Sequence, residues 1–524
     1  MAEASAARAE AGLGRSAGIL GLGNVASRVV GLARESVISY YFGSSGELSA
    51  FNLASRVPAM LYDLLVGGML SAALVPVFSD YARPERRAEL ARLASAMLSL
   101  IAVVMGVAVL LLEVFAGPIA SILGDFEDPA LQIVLENCLR LIAPAVLLFG
   151  LSGAVTGLLY SLKRFSITAI SGAVFNLGIV LAAPLLANRI GIYALPIGVT
   201  LGSLLQLAVM APGLRDLRPR PSAGWSHPGV QRILRLYVPI MLGLIVTQTQ
   251  IIVDGRWASA TGPQSVAWMR YATTLIQLPL GLVPVAVSLA ALPSLAQRAS
   301  DLDWDGFRGL FARGLRLVIV LLLPATVGLF VLAIPVIRLL FEHGNFTAYD
   351  TRMTSMALRL YLLGLPFAGV DFLLNYTFYA RQDTRTPAIV GVIAVGLYFV
   401  VAWTLKGPLG FLGLVLADSI KQAGHAAIMA ALLVGTVGRP VGHGLKKVTL
   451  WSAGASLLMG VIVWLVAVAL LRVLPPGLLT EIVAVAVPTA AGGVAYMAFL
   501  KLGGVSEATA ISSLVATRLL RLHR

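Results

Sequence analysis

The sequence is poor in charged residues and holds a single cysteine. Only 12% of its 524 residues are Asp, Glu, Lys or Arg, whereas about a quarter are charged in a typical soluble domain. The lone Cys138 excludes an internal disulfide and a cysteine-based metal site. No glycine-rich phosphate loop ending in Gly-Lys-Ser or Gly-Lys-Thr occurs, which argues against direct ATP hydrolysis. The five histidines lack the spacing of metal ligands, and we interpret them as loop or packing residues.

What the chain has instead is long apolar runs. Hydrophobic residues make up 58% of it, and the mean hydropathy is +0.89. Runs of about 20 residues are long enough to cross a bilayer. Such runs fall at about 16–42, 49–79, 91–117, 130–160, 167–188, 191–213, 231–258, 265–297, 310–338, 351–380, 386–406, 409–435, 448–472 and 478–501. We therefore predict an all-α polytopic membrane protein with about fourteen transmembrane helices.

The basic residues lie mainly in alternate connections. The connections after spans two, four, six, eight, ten and twelve carry Arg83, Arg86, Arg87, Lys163, Arg164, Arg215, Arg218, Arg220, Arg298, Arg308, Arg381, Arg385, Arg439, Lys446 and Lys447. The opposite connections are short or acidic, as in GDFEDP at 124–129. By the positive-inside rule this predicts that both termini lie on the cytoplasmic side of the cell (plasma or inner) membrane. The same rule accounts for the net charge of +14, so we expect no nucleic-acid partner. We see no cleavable signal peptide.

Two similar halves are visible. LRL at 139–141 recurs at 358–360, Tyr160 recurs as Tyr379, and SAALVP at 71–76 resembles SLAALP at 288–293. Six spans make one copy, so the two six-helix lobes should run parallel, and spans thirteen and fourteen are an addition. The predicted domains are an N-terminal cytoplasmic tail (1–15), a first lobe (16–213), a linker (214–230), a second lobe (231–435), a two-helix unit (448–501) and a basic tail (502–524).

The first two spans carry charges that a membrane helix does not need. Arg28, Arg34 and Glu35 lie in the first span, and Arg56 and Asp63 lie in the second. An arginine at the centre of a membrane helix costs ~2.5–3.5 kcal/mol on insertion scales. We interpret the arginines as the lining of a polar cavity that binds an anion. For the two carboxylates, ion pairing inside the bundle is the favoured reading.

The second lobe also carries charge within its spans. Asp254 and Arg256 lie in span seven, and Arg270 lies in span eight. At the repeat offset Arg56 corresponds to Thr274, and Arg270 precedes Thr274 by one helical turn, so both face roughly the same side. A two-lobed transporter has its natural cavity between the lobes. We therefore predict that Arg270 approaches the anion site from the second lobe.

Several segments resemble the MurJ/MviN family of lipid II flippases. They are ASRVVGLARESVISYYFG at 26–43, AFNLASRVPAMLYDLLVGGMLSAALVPVFSDY at 50–81, LFEHGNFTAYDTRMTSMALRLYLLGLPFAGVDFLLNYTFYARQDTRTP at 340–387 and GPLGFLGLVLADS at 407–419. The resemblance covers nearly the whole chain. It implies fourteen helices in two lobes, within the multidrug/oligosaccharidyl-lipid/polysaccharide exporter superfamily.

The resemblance also implies a function. Family members carry a polyprenyl pyrophosphate-linked glycopeptide from the cytoplasmic to the outer leaflet by alternating access, and the last two helices form a groove for the prenyl tail. The positions that match the required arginines are Arg28, Arg34 and Arg56. A planar guanidinium fork suits phosphate oxygens better than an ammonium group does. A cation site of some members matches Asp254, and Asp418 is a candidate second ligand.

The chain departs from the family pattern at several charged positions. Ser49, Gly67 and Thr274 stand where family members often carry charged residues, and Tyr398 and Ala402 stand near the helix-eleven partners of the cation site. These departures leave the coupling ion open: Na⁺, H⁺ or the membrane potential alone could drive transport. No other cofactor is expected.

Alternative functions remain at this stage. The leading reading is a transporter, not an enzyme, that flips lipid II for cell wall synthesis, works as a monomer and contacts membrane lipids. Within transport, an exporter of another polyprenyl-linked glycan or a cation-coupled drug antiporter is the runner-up. A drug antiporter should place carboxylates, rather than arginines, in its first-lobe cavity. An intramembrane glycosyltransferase would need a catalytic carboxylate, for which Glu35 and Asp63 are the nearby candidates.

Overall fold

The computed structural model describes residues 23, 26–64, 73–440 and 442–509, without the side chains of residues 238–244, 246 and 247. Within these stretches all regular secondary structure is helical. The described residues form two compact units that divide between Ala267 and Trp268, with Gly344–Phe346 belonging to the first unit. We call them unit 1 and unit 2.

Unit 1 contains nine helices among its described residues. They are α1 (26–42), α2 (Gly46–Tyr62), α3 (Val75–Tyr81), α4 (Arg87–Val114), α5 (Ala116–Leu123), α6 (Pro129–Ser161), α7 (Phe165–Ile190), α8 (Ala194–Met210) and α9 (Pro228–Ala260). Short 3₁₀ turns connect some of them, at Pro84–Arg86, Gly191–Tyr193 and Ala211–Leu214.

Unit 2 holds the remaining described helices. They are α10 (Ser265–Ser300), of which the first three residues belong to unit 1, α11 (Trp304–Val331), α12 (Ala333–Phe341), α13 (Ala348–Ala380), α14 (Arg385–Leu409), α15 (Phe411–Val437), α16 (Leu445–Val473) and α17 (Leu478–Leu502).

The predicted spans are confirmed as helices. Ten described stretches are long and apolar enough to cross a membrane, and one of them, Phe165–Leu214, contains both α7 and α8. The helices α1, α2 with α3, and α9 occupy the other predicted spans, numbers one, two and seven. The chain is therefore a multi-pass all-α membrane protein with a helix at each of the fourteen predicted positions.

Two predicted spans are interrupted. The runs 91–117 and 310–338 were expected as single helices, but the first breaks at Phe115 and the second at Leu332, and each is followed by a short helix. Both sides of each break are apolar, so hydropathy alone cannot locate it. The two breaks lie 217 residues apart, which matches the repeat.

The backbone supports the internal repeat at two further turns. Lys163 after α6 and Gln382 after α13 both have φ of 59°. Gly191 and Gly410, which end α7 and α14, share φ of 59° and ψ of −138°. Such a combination is readily available only to glycine. Both pairs are 219 residues apart, so corresponding elements make the same turns.

Corresponding helices also begin with side-chain caps. Asp128 caps α6 by accepting a hydrogen bond of 2.8 Å from the Ala130 amide. Thr347 and Asp350 form a capping box at the start of α13. A cap of this kind satisfies backbone N–H groups that the first turn leaves without partners. Both caps follow short connections, which suits their place at the ends of membrane spans.

Small residues allow close helix packing in unit 1. A Cβ added at Gly178 on α7 would lie 2.3 Å from Gly202 Cα on α8, so the two backbones touch. Close contacts of this kind hold membrane helices together by van der Waals packing and not by a hydrophobic driving force. The α7–α8 pair is therefore closely packed, and α7 also contacts α1 through Asn176.

The ninth helix packs within unit 1. Arg256 donates to the Ser121 carbonyl oxygen at 2.6 Å and pairs with Asp125 at 3.4 Å, and the Asp125 amide donates to Ser259 Oγ at 2.8 Å. These bonds tie the end of α9 to the connection between α5 and α6. The repeat predicts that the second lobe begins at residue 231, and this boundary stays a prediction.

Candidate functional site

A buried polar cluster joins α1 and α7. Arg34 Nη1 donates to Asn176 Oδ1 at 2.9 Å, and Arg34 Nη2 forms a short ion pair with Glu35. The Arg34 side chain is 16% exposed and that of Glu35 is 4% exposed. Asn176 Nδ2 also donates to the carbonyl oxygens of Ser27 and Gly172. Asn176 therefore bridges the two helices and orients the guanidinium.

This cluster supports the pairing interpretation of Glu35. The helical spacing directed attention to Arg28, seven residues before Glu35, but the carboxylate pairs with the adjacent Arg34. Breaking such a buried pair would leave one uncompensated charge. Asn176 was missed because a single asparagine in an apolar run gives no pattern.

A second cluster joins α2 and α9. Arg56 Nη1 donates to the Ile251 carbonyl oxygen at 3.1 Å and lies 3.9 Å from Asp254 Oδ2. The exposed fractions of the two side chains are 26% and 23%. The carboxylate thus stabilises the guanidinium by charge at a distance beyond that of a hydrogen bond.

Gly255 leaves the space that Arg56 occupies. A Cβ at this position would lie 2.7 Å from Arg56 Nη1 and 2.8 Å from Leu53 Cδ2. A larger residue would push the guanidinium away from α9. Since glycine is common in membrane helices, sequence reasoning did not single out Gly255.

The other predicted residues take different places. Arg28 is half-buried on α1, whereas Asp63 is exposed at the end of α2. Arg270 is exposed on α10 in unit 2, where its carbonyl oxygen accepts hydrogen bonds from Thr273 and Thr274. The convergence of Arg270 with the three arginines of unit 1 stays a prediction.

The two candidate cation ligands each have a basic partner. Asp254 lies near Arg56, as described, and Asp418 accepts a hydrogen bond of 2.6 Å from Lys421 on its own helix, α15. Asp254 belongs to unit 1 and Asp418 to unit 2. A cation at either carboxylate would compete with the neighbouring base, and the cation site stays a prediction.

The positions that depart from the family pattern have their own contacts. Ser49, buried on α2, accepts a hydrogen bond of 3.2 Å from the Ala267 amide. Thr274 Oγ1 donates to the Arg270 carbonyl oxygen at 3.0 Å, and Tyr398 and Ala402 are buried on α14. Gly67 lies outside the described residues.

A third polar cluster, in unit 2, was not anticipated. His425 on α15 makes a hydrogen bond of 2.5 Å through Nδ1 to Asp371 Oδ1 on α13, and Asn375 Nδ2 donates to Asp371 Oδ2 at 2.9 Å. The interpretation of the histidines as loop or packing residues is wrong for His425, because it lies in the middle of a membrane helix and pairs with a carboxylate. The relevant signal was an Asp and an Asn one turn apart in span ten.

An apolar groove lies between α11, α13 and α16. Its volume is about 440 Å³, and its walls include Phe330, Leu362, Leu457 and Trp464. Behind it α16 and α17 pack on α11, where Tyr496 donates to the Val320 carbonyl oxygen at 2.7 Å. The lining of the groove is almost entirely apolar, which suits an apolar chain.

The chain resembles known transport proteins over most of its length. A family model described as "Lipid II flippase MurJ" matches residues 38–485. The Burkholderia cenocepacia "Lipid II flippase MurJ" is 32% identical over 388 residues, which cover 71% of this chain and 74% of that protein. A "Probable lipid II flippase MurJ" of Vibrio cholerae is 31% identical over 423 residues, 77% of this chain and 79% of that protein.

Solved structures share the fold. A structure titled "Lipid II flippase MurJ, inward closed conformation" aligns with a TM-score of 0.77 at 24% identity, over 92% of this chain and 98% of the other. An inward-facing multidrug resistance MATE family transporter of the MOP superfamily aligns with a TM-score of 0.67 at 14% identity, over 80% of this chain and 96% of the other. The predicted all-α fold is therefore confirmed.

Proposed function

Because the chain belongs to the family of MurJ lipid II flippases, we propose that Arg28, Arg34 and Arg56 hold the pyrophosphate of its lipid-linked substrate during transport. The protein is a multi-pass membrane transporter that flips lipid II, the lipid-linked precursor of peptidoglycan. What the arginine site adds is a mechanism by which a doubly charged head crosses an apolar region.

The state of Arg56 carries the proposal. Within the part of the chain that the structure describes, its guanidinium makes one hydrogen bond, from Nη1 to Ile251, and Asp254 lies 3.9 Å away. An arginine has five N–H donors. Most donors of Arg56 are therefore available to a ligand, while Asp254 keeps the charged form stable when no ligand is bound.

The same reasoning extends to Arg34, with a tighter restraint. Asn176 and Glu35 hold its two terminal nitrogens, and the buried Arg34 Nε makes no hydrogen bond to a described residue. Together with Arg28, unit 1 has three arginines in α1 and α2, and the carboxylates of Glu35 and Asp254 lie near two of them. The N–H donors of these arginines, and not a net positive charge, favour entry of an anion.

The guanidinium fork suits this ligand. Arginine can bind two phosphate oxygens at once, whereas lysine offers a single point charge. Each charge-assisted hydrogen bond in a site of restricted water contributes roughly 1.5–3 kcal/mol. Such bonds offset the cost of removing the pyrophosphate from water, and alternating access then exposes the site to the other leaflet.

The remaining parts of the proposal concern the lipid tail, the membrane and the driving force. The apolar groove between α11, α13 and α16 supports a tail site in unit 2, since a prenyl chain needs a long apolar surface, and we expect α17 to extend it. The alternating basic connections support insertion in the cell membrane with both termini in the cytoplasm. We expect a monomer, driven by a monovalent cation gradient or by the membrane potential.

A flipping assay tests the arginine site. Fluorescent lipid II is reconstituted in vesicles with Arg28→Ala, Arg34→Ala or Arg56→Ala, and the rate is normalised to the amount of protein in the vesicles. Each variant should lose about ten- to a hundredfold in activity, since one lost bond contributes roughly 1.5–3 kcal/mol. Arg56→Lys should recover only part of it.

The matched control is Arg232→Ala. Arg232 also lies in unit 1, on α9, and pairs with Asp80 at 2.8 Å, but both side chains are more than half exposed. This variant should flip at the wild-type rate. If the three cavity variants flip as fast as Arg232→Ala does, the arginines do not bind substrate and the proposal is wrong.

A further inference from the structure

The Asp371, Asn375 and His425 cluster places two titratable groups inside a membrane helix pair. Asp371 Oδ1 bonds to His425 Nδ1 at 2.5 Å, and Oδ2 accepts from Asn375 Nδ2 at 2.9 Å. The exposed fractions of the His425 and Asp371 side chains are 12% and 15%. Both oxygens of the Asp371 carboxylate therefore have a hydrogen-bonding partner, and one of these partners is the imidazole of His425.

The cluster lies deep in unit 2. His425 is fourteen residues from the start of α15 and twelve from its end, and Asp371 is nine residues from the end of α13. At 1.5 Å per residue, His425 therefore lies about 18 Å from the end of α15, and Asp371 lies about 14 Å from the end of α13. Leu374 and Met429, one turn further on each helix, are fully buried, so an apolar layer separates the cluster from the nearer helix ends.

Two further charged residues of α15 lie beside the cluster and pair with each other. Lys421, one turn before His425, is paired with Asp418 at 2.6 Å and lies 5.7 Å from the ring centre of Tyr398 on α14. Lys421 thus neutralises Asp418, and Asp371 has His425 and Asn375 as its own partners.

On the neighbouring helices, Arg313 and Arg316 of α11 lie nine and twelve residues from the start of that helix, at a depth similar to that of the cluster, and α14 carries Arg385 and Lys406 near its two ends. On α13 the titratable neighbours are Tyr376 and Tyr379, whose rings are 5.9 Å apart. Along the sequence, α10 has no charged residue between Arg270 and Arg298. The charged side chains of α11 and α12 have bonded partners: Arg308 with Asp305, Arg313 with the Gly309 carbonyl oxygen, Arg316 with Glu507, and Arg338 with Glu342.

The repeat provides an internal reference for these positions. At the offset of 219 residues, Asp371, Asn375 and His425 correspond to Ser152, Thr156 and Gln206. Thr156 Oγ1 donates to the Ser152 carbonyl oxygen at 2.8 Å, just as Asn375 Nδ2 donates to that of Asp371 at 2.9 Å. Both copies thus keep polar residues here, but only the second copy has groups that titrate. Helix packing alone does not require titratable side chains.

We propose that Asp371 and His425 form a proton-binding site through which unit 2 responds to the transmembrane proton gradient. Histidine is the side chain that changes charge between pH 5 and 8 without large perturbation, and its carboxylate partner stabilises the imidazolium. Because the pair joins α13 to α15, gain or loss of the proton changes the attraction between two closely packed helices. This inference names the driving ion and does not rest on the arginine site.

The first experiment measures protonation directly. The full-length protein is labelled with ¹⁵N-histidine, and imidazole resonances are followed from pH 5 to pH 9 in detergent, with His425→Gln used to assign the signal. We expect His425 to gain a proton within this range. In Asp371→Asn the protonated fraction at neutral pH should fall, because the anion that stabilises it is gone. A His425 signal that shows no protonation change from pH 5 to pH 9 overturns the proposal.

The second experiment measures the use of the gradient. Lipid II flipping is recorded in vesicles with and without a pH difference of one unit, which corresponds to a factor of about ten in proton activity. Wild-type protein should change its rate with the gradient, up to that factor. In His425→Gln and Asp371→Ser, which install the residues of the first copy, the ratio of the two rates should approach one.

His343→Gln is the matched control, since His343 lies in the connection after α12 and bonds to the Leu339 carbonyl oxygen. It should keep the wild-type ratio. If wild type shows no response to the gradient, or if His425→Gln keeps the full response, the coupling role is wrong. Failure of the arginine variants to lose flipping would contradict the arginine site and leave these ratios interpretable.

Discussion

The helices α6 to α8 and their counterparts α13 to α15 have the same turns but different chemistry. Gly191 and Gly410 adopt identical dihedral angles, yet Gln206 of the first copy stands where His425 stands in the second. Unit 1 instead carries the buried or half-buried Arg34, Glu35, Arg56 and Asp254 on α1, α2 and α9. The repeat therefore preserves backbone geometry, while each copy places different charges within the membrane.

The largest predicted difference concerns the ion pairs of the two units. Glu35→Gln leaves Arg34 charged and buried, which should destabilise the protein by about 3–5 kcal/mol. Asp418→Asn should cost clearly less, because the Asp418 side chain is 28% exposed whereas that of Glu35 is 4% exposed. Thermal unfolding in detergent, followed by fluorescence, measures both. Equal effects would remove the distinction between the two pairs.

The next effect concerns the space beside Arg56. Gly255→Ala should move the guanidinium, cost about 1–3 kcal/mol of stability and lower lipid II flipping roughly tenfold, the effect of about 1.4 kcal/mol at the site. Gly396→Ala on α14 is the control, because a Cβ there would meet no atom within 4 Å. Normal flipping by Gly255→Ala would show that the position of Arg56 is not critical.

A matched pair tests whether the turns are truly equivalent. Gly191→Ala and Gly410→Ala each introduce a Cβ into open space at φ of 59°, so their cost is backbone strain alone, about 1–2 kcal/mol. The two variants should shift the unfolding temperature by similar amounts. A large shift for one and none for the other would mean that the two copies do not share this constraint.

The smallest effect lies outside the membrane spans. Partial burial raises the pKa of Asp216, but hydrogen bonds from Arg164 and Arg87 outweigh burial, and the net pKa lies below its usual value. The carboxylate therefore stabilises the fold above its unfolded pKa of about 3.9, and this stability is lost as pH falls through the folded pKa. Since the side chain is 38% exposed, the contribution should stay below ~1 kcal/mol.

Asp216→Asn should accordingly reduce the unfolding temperature slightly at pH 7 and have no effect well below the folded pKa. In unit 2 the ends of α13 and α15 are joined by Arg381 and the neutral Thr436. Thr436→Val should therefore give a small change that does not depend on pH. A pH-independent effect of Asp216→Asn would contradict the role of its charge.

Much of the fold could be predicted because the hydropathy of the sequence shows where each membrane span begins and ends. The run 130–160 became Pro129–Ser161, and 478–501 became Leu478–Leu502. The breaks at Phe115 and Leu332 could not be predicted, since apolar residues surround both. Apolar character decides whether a segment enters the membrane, but it does not decide where the backbone bends.

The arginines of the candidate site could be predicted from the sequence, but their partners could not. An arginine in an apolar run stands out in any sequence, but Asp254 is 198 residues from Arg56, and Asn176 is 142 residues from Arg34. Only tertiary structure brings such residues together. His425 was misread for the same reason, because its partner Asp371 lies 54 residues away on another helix.

In the proposed mechanism, the arginines of unit 1 bind the substrate and the Asp371–His425 pair of unit 2 binds a proton. The most direct test is the flipping rate of lipid II as a function of its concentration, with and without a pH gradient, for Arg56→Lys and His425→Gln. Arg56→Lys should raise the half-saturating concentration and keep the gradient response, while His425→Gln should lose the gradient response and keep the half-saturating concentration. If both variants change the same parameter, the two functions are not separated in this way.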